Sequence, residues 1–332
     1  MKLYIFILTI LPLFCFSQTN LLLNGDFEDY SSCPIGYSDP GQSPNYEINK
    51  CIGWTNPTYG TSDYYNQCAN GTFAGITSNP LGYQQPYSGN GYLGTYFTSY
   101  GGGAGWDGYN GNMWWEYIQG EIITPLSQDN LYNIKLHISL ANASDLAINE
   151  FGIYFSADPI NSQNSASLNV TPQVVFTNNN YFKDTINWIS LEGVYIAQGG
   201  ENYITIGNFN DDIATDTLRV YFPIDEVEEK ISYYFIDKIE IINSTEELPI
   251  SNVFTPNGDG INDEWKLPNL PNYEVIIYNR WGNKIISRPA INFAWNGKTT
   301  NGDICSNGVY YYIIQNIHSK ANTYKGFIQL LN

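Results

Sequence analysis

Positive charge is scarce in this chain. Lysine and arginine together number 14 in 332 residues, against 32 aspartates and glutamates, for a formal net charge of −18. Nucleic-acid phosphates demand a basic face, so this balance argues against a nucleic-acid partner. It suits solubility outside the cell and divalent cations. Only two histidines occur, His137 and His318, and no Cys-x-x-Cys pair is present. Zinc is therefore not expected. No Gly-x-Ser-x-Gly elbow appears, and His137 falls on the polar side of its strand with no evident nucleophile. His318 falls in a turn; both imidazoles are expected to face solvent. The run Gly101 to Gly105 lacks phosphate-binding spacing and a strand–helix setting, so it reads as a loop.

Long apolar runs are equally sparse. Met1-Lys2 carries one positive charge, and Leu3 to Phe16 is apolar except at Thr9 and Pro12. That stretch is too short to span roughly 30 Å of hydrocarbon, so residues 1–17 read as a cleaved secretion leader. Cleavage is expected after Ser17, leaving Gln18 as the N-terminus. Lipidation at Cys15 is a weaker alternative, because Phe14 is bulkier than the residue that usually precedes a lipidated cysteine. No later run approaches membrane-spanning length.

About 315 residues remain, enough for about two domains with substantial cores. Aromatics make up 16% of the chain, with 28 tyrosines, while Gly, Asn, Ser and Thr supply much of the rest. This mixture favours strands joined by many turns over helices. Tyr132 to Leu140 alternates so that Ile134, Leu136, Ile138 and Leu140 share one face. Phe151 to Phe155, Gln173 to Phe176, Trp188 to Ile196, Tyr203 to Phe209 and Tyr233 to Ile242 behave alike, a sandwich pattern. Residues 56–113, rich in Gly, Tyr and Asn, are expected to form long ordered loops. The acidic stretch 244–249, closed by Pro249, reads as a linker between a domain at 18–243 and another at 250–332.

Four cysteines survive cleavage: Cys33, Cys51, Cys68 and Cys305. In an oxidising compartment the first three supply one disulfide; Cys33 with Cys68 is the favoured pairing, although spacing alone does not fix it.

The C-terminal motifs are the most specific. Val253-Phe254-Thr255-Pro256-Asn257-Gly258-Asp259-Gly260-Ile261-Asn262-Asp263 opens the module. Tyr278-Asn279-Arg280-Trp281-Gly282, Trp295-Asn296-Gly297, Gly308-Val309-Tyr310-Tyr311-Tyr312 and Tyr324-Lys325-Gly326-Phe327-Ile328 follow. In this order, residues 250–332 resemble the gliding-motility-associated C-terminal domain of Bacteroidetes proteins. The resemblance implies an immunoglobulin-like sandwich, the type B sorting signal recognised by the type IX secretion machinery. It also implies a route through the periplasm to the outer surface or the medium. From the residues themselves, Gly258, Gly260, Gly282 and Gly308 suit turns, and Trp265, Trp281 and Trp295 suit core anchoring. Asn257, Asp259 and Asp263 alternate as calcium ligands do, but equally as a metal-free Asx-rich turn does. Without a Glu at loop position twelve they are not an EF-hand.

Asn20-Leu21-Leu22-Leu23-Asn24-Gly25-Asp26-Phe27-Glu28 and Phe235-Ile236-Asp237-Lys238-Ile239-Glu240-Ile241 resemble the first and last strands of galactose-binding-like jelly rolls. Pro86 to Gly94 resembles an internal strand of that fold. Such modules are widespread in carbohydrate-binding and bacterial surface proteins, and many carry a structural calcium. The resemblance implies side-chain ligands at Glu28 and Asp237, with Asp26 a further candidate; as an alternative these are ordinary surface or capping acids. Trp54, Trp106, Trp114 and Trp115, with Tyr59, Tyr64, Tyr65, Tyr96 and Tyr100, crowd into turn-rich sequence where flat rings could stack on sugars or simply anchor loops. Asp184-Thr185-Ile186 and Asp216-Thr217-Leu218 resemble the O-glycosylation triplet of exported Bacteroidetes proteins.

The expected protein is thus all-β, a jelly roll followed by an immunoglobulin-like sandwich. It is exported, non-enzymatic, and binds carbohydrate or another surface ligand, with structural calcium as the one cofactor. Alternatives are a polysaccharide hydrolase with an unrecognised carboxylate pair, which 32 acids leave open, and a structural adhesin subunit binding protein.

Overall fold

The computed structural model describes residues 19–38, 46–77, 79–100, 115–164, 166–211, 214–220, 230–244, 248, 250–268, 270, 273–317 and 323–331. The leader, Gly101 to Gly105, Trp106, Trp114 and His318 lie outside the described residues, as does most of the linker.

Nearly all regular structure is β. The first domain contains β1 (Trp54–Thr55), β2 (Asp63–Asn66), β3 (Gly91–Tyr100), β4 (Tyr117–Glu121), β5 (Leu131–Leu140), β6 (Leu146–Ile148), β7 (Glu150–Ser156), β8 (Val174–Thr177), β9 (Ile189–Ile196), β10 (Tyr203–Gly207), β11 (Thr217–Arg219) and β12 (Lys230–Asn243). Two five-stranded antiparallel sheets, β1-β4-β10-β7-β8 and β2-β3-β12-β5-β9, form the sandwich. The period-2 pattern of β5 holds: Ile134, Leu136, Ile138 and Leu140 are buried against Ile153, Ile204, Ile206 and Tyr234 between the sheets. Region 56–113 was expected to be loop, yet it contributes β2 and β3. Their alternation is hard to see because both faces are covered, with Tyr64 and Leu93 inside and Tyr65 and Tyr92 buried on the outer face.

The N-terminal segment is bound to the last strand by backbone bonds and by the Asn20 side chain. Leu21 N–H donates to Ile241 O at 2.8 Å and Ile239 N–H to Gly25 O at 2.7 Å. The Asn20 amide donates to Ile239 O and accepts from Ile241 N–H, both at 2.8 Å. Asn24 and Phe27 adopt positive φ, so this segment bends instead of continuing as a regular strand. Cys33 and Cys68 are disulfide-bonded, tying this N-terminal region to the loop after β2, while Cys51 and Cys305 are buried thiols.

The second domain contains β13 (Val253–Phe254), β14 (Trp265–Lys266), β15 (Tyr273–Asn279), β16 (Lys284–Pro289), β17 (Ala294–Trp295), β18 (Gly308–Asn316) and β19 (Thr323–Leu330). The sheet β13-β19-β18-β15-β16 faces the short β14–β17 pair, where Trp265 lies opposite Trp295. Both indoles are buried, and they donate to Ser251 O and Lys298 O at 2.6 and 2.8 Å. Trp281 corrects the sequence expectation. It sits 77% exposed at the tip of the β15–β16 hairpin, with the Arg280 guanidinium 5.3 Å from its ring. A hairpin tip has no second layer to bury against. Leu131 and Ile196 of the first domain join the apolar cluster of the second, alongside Leu248.

Candidate cation clamp and ligand face

Glu28 and Asp237 reach the same turn from opposite ends of the first domain. The Glu28 carboxylate accepts from Asn90 N–H at 2.6 Å and Gly91 N–H at 2.9 Å through Oε1, and from the Asn90 amide at 3.0 Å through Oε2. Asp237 Oδ2 accepts from Ser88 N–H at 3.1 Å. Between them Gly89 has φ of +64°, and a Cβ there would overlap the Glu28 carboxylate, so only glycine fits. Asp237 is paired in register with His137, and the ladder is interrupted by a bulge directly after it, where Lys238 has φ +50°.

Asp237 is fully buried (0% exposed), and its Oδ1 has no hydrogen-bond partner among the described residues; the same holds for the buried Ser88 Oγ. Burial pushes the Asp237 carboxyl up to about 7. The backbone N–H groups of Ser88, Lys238 and Tyr87 pull it back, and the Glu28 charge adds to the rise. Asp237 Oδ1 and Ser88 Oγ are orphaned hard oxygens of the kind calcium takes, while the Glu28 oxygens are bound to Asn90 and Gly91. Among the described residues no three His, Cys, Asp or Glu side chains gather at one point, so a cation here would also draw on hydroxyl and carbonyl oxygens. Asp26, half-buried, acts electrostatically on the Cys51 thiol, which burial pushes well up.

The loop of the second domain is closed on itself. Asp263 accepts from Gly258 N–H at 2.6 Å and Gly260 N–H at 2.8 Å. Asp259 accepts from Ile261 N–H at 2.8 Å and the Asn257 amide at 2.9 Å. These carboxylates serve the backbone, which is the geometry of the Asx-rich turn.

Of the predicted stacking aromatics, Trp54 is a core residue. It packs edge-on to Phe27 at 5.0 Å, and its Nε1 donates to Asn24 O at 3.0 Å. Trp115 is buried beside Tyr117 and Leu168, and Tyr64 and Tyr65 are buried too. None of the four offers a ring to a ligand. Residues Trp106 and Trp114 lie outside the described residues. Tyr59 is exposed and donates to the Gln163 amide oxygen.

His137 also departs from expectation. It is 1% exposed, not solvent-facing, because Tyr87 covers it in a stacked arrangement at 3.5 Å between ring centroids. Burial holds its pKa down, so the ring is neutral at physiological pH.

Asp63 and Glu116 form a site that sequence reasoning missed. Asp63 accepts from Ser38 N–H at 2.7 Å and Tyr233 O–H at 2.8 Å; burial, then the Glu116 charge, push its carboxyl well up. Glu116 accepts from Thr61 N–H at 2.7 Å and Tyr96 N–H at 3.0 Å. The one available signal was an acid flanking the aromatic run of β2.

The fold and the C-terminal module define an exported β-sandwich protein carrying its own secretion signal. Residues 248–330 match the CHU_C Type IX secretion signal domain, so the chain is exported to the cell surface or beyond. No curated protein matches the chain. Similar solved structures include the CBM22-1 xylan-binding domain of Xyn10C from Paenibacillus barcinonensis, at 12% identity and TM-score 0.32 over 65% of this chain and 100% of that one. The K1 cleaved adhesin domain of Lys-gingipain from Porphyromonas gingivalis W83 is 17% identical, at TM-score 0.32 over 68% and 99%. PorZ, a surface component of the type-IX secretion system of Porphyromonas gingivalis, is 15% identical, at TM-score 0.20 over 29% and 14%.

Proposed function

We propose that the first domain is a non-enzymatic, calcium-clamped jelly roll that binds carbohydrate at the cell surface or outside the cell. Its leader, residues 1–17, takes it to the periplasm, and residues 250–332 engage the type IX machinery. The observation that carries the reading is the Glu28–Asp237 clamp. Two carboxylates hold a surface turn in one shape and leave Asp237 Oδ1 and Ser88 Oγ for a cation, an arrangement that builds a recognition surface. A hydrolase needs two carboxylates opening onto a common void. The Asp63 and Glu116 oxygens are instead engaged by Ser38, Tyr233, Thr61 and Tyr96.

The test is a glycan array probed with the purified mature chain in calcium and in EDTA, run with a thermal melt under both conditions. Retention on defined sugars together with a calcium-raised midpoint supports the reading. Reducing-sugar release from a polysaccharide panel would replace it with the hydrolase. Deleting residues 250–332 is expected to trap the remainder in the periplasm.

A further inference from the structure

We propose that the turn held by the clamp is itself the ligand loop: residues 83–90 present the exposed ring of Tyr87 as a stacking face for a neutral glycan. This rests on the carbohydrate-binding reading above and assigns its site.

Tyr87 is 49% exposed although its other face lies flat on His137. An aromatic ring that is fixed from below and open above loses little freedom when a second flat surface settles on it. The imidazole beneath is buried, so it supports the tyrosine ring from below.

The whole loop is pinned in the same way. Tyr83 N–H donates to the Asn142 amide oxygen, and the Gln84 amide donates to Ser139 Oγ, both at 3.0 Å. The Trp188 indole donates to Gln85 O at 2.8 Å, and the clamp holds Ser88, Asn90 and Gly91. Tyr83 is 53% exposed, and its hydroxyl bonds the Gln85 amide, which stands between the two tyrosines in sequence. An exposed ring with the exposed Gln85 amide on the same loop suits a pyranose, which has an apolar C–H face edged by hydroxyls.

Charge selects among glycans. Lys135, which lies near Tyr87, is paired with Glu192 at 3.1 Å, and Lys238 with Glu240 at 3.9 Å. In a chain of net charge −18, a patch whose lysines are already paired repels uronic or sulfated sugars and leaves neutral ones.

The experiment titrates the mature chain with xylohexaose, cellohexaose and mannohexaose, and with trigalacturonate as the acidic control. Tyr87→Ala and Tyr87→Phe are measured alongside. Tyr87→Ala is expected to weaken the neutral oligosaccharide by on the order of tenfold or more, and Tyr87→Phe, which keeps the ring over His137, to retain the binding, the melt and the calcium shift of the parent. Glycan binding that survives Tyr87→Ala overturns the assignment while leaving the carbohydrate reading intact, as does preference for trigalacturonate. Binding of no glycan overturns both, and a calcium-raised melt would then leave the clamp alone standing.

Discussion

Glu28 and Asp237 grip the two ends of one turn: the glutamate holds Asn90 and Gly91, and the aspartate holds Ser88. Asp237 performs this while fully buried and with one oxygen unmatched. A buried carboxylate in that condition is costly when ionised and favourable once a cation arrives.

Asp237→Asn removes that buried charge. The substitution is expected to raise the melting temperature of the cation-free protein and to abolish the stabilisation by calcium. Thermal melts of both proteins in EDTA and in calcium check it. A variant that loses stability in EDTA and still responds to calcium would remove Asp237 from the site.

The pH dependence has a definite sign. The folded carboxyl is raised to about 7, whereas an unfolded aspartate titrates near 3.9. The folded state therefore holds the proton more tightly, and stability falls as pH rises between about 4 and about 7. Calcium competes for the ionised form, so its effect is expected to be small at the acid end of that window and to grow through neutrality. Denaturant midpoints across the window, with Asp237→Asn as the reference, isolate this contribution.

Gly89→Ala places a Cβ against the Glu28 carboxylate at a positive φ. The expected loss is about 1–3 kcal/mol, with weaker calcium binding because Glu28 must move. Urea unfolding and calcium titration by isothermal calorimetry measure both effects.

Trp54→Ala tests the core assignment. A buried indole against Phe27 is expected to cost about 3–5 kcal/mol on truncation. If the variant melts normally and only sugar retention falls, Trp54 is a ligand residue.

Replacing Cys33 and Cys68 together by serine opens a loop closed over 35 positions. Loop-closure entropy gives about 3–4 kcal/mol, read as a lowered melting temperature in the non-reduced protein and no further change on adding reductant.

Much of the architecture was legible. The alternation in Tyr132 to Leu140 and Tyr273 to Tyr278 reports a strand with one face turned inward, and β5 and β15 lie there. Residues Asp63–Asn66 and Gly91–Tyr100 look like loop by pattern, apart from the strand resemblance of Pro86 to Gly94, because strands covered on both faces show no alternation. Trp54, offered as a stacking or anchoring ring, is in the core, and Trp281, expected in the core, is exposed. Composition reports how many aromatics there are, while burial depends on which has a second layer above it.

By itself the sequence determined the all-β class, because side-chain periodicity is read along the chain; the export signal and the pairing of Glu28 with Asp237 came from the resemblance of its local motifs to known families. Only the tertiary structure decided that the two acids share a turn, that Asp237 is left with an unmatched oxygen, and that Tyr87 rests on a buried His137. Each of those is a contact between segments far apart in sequence, and the packing of two sheets and the loop across them sets the distance.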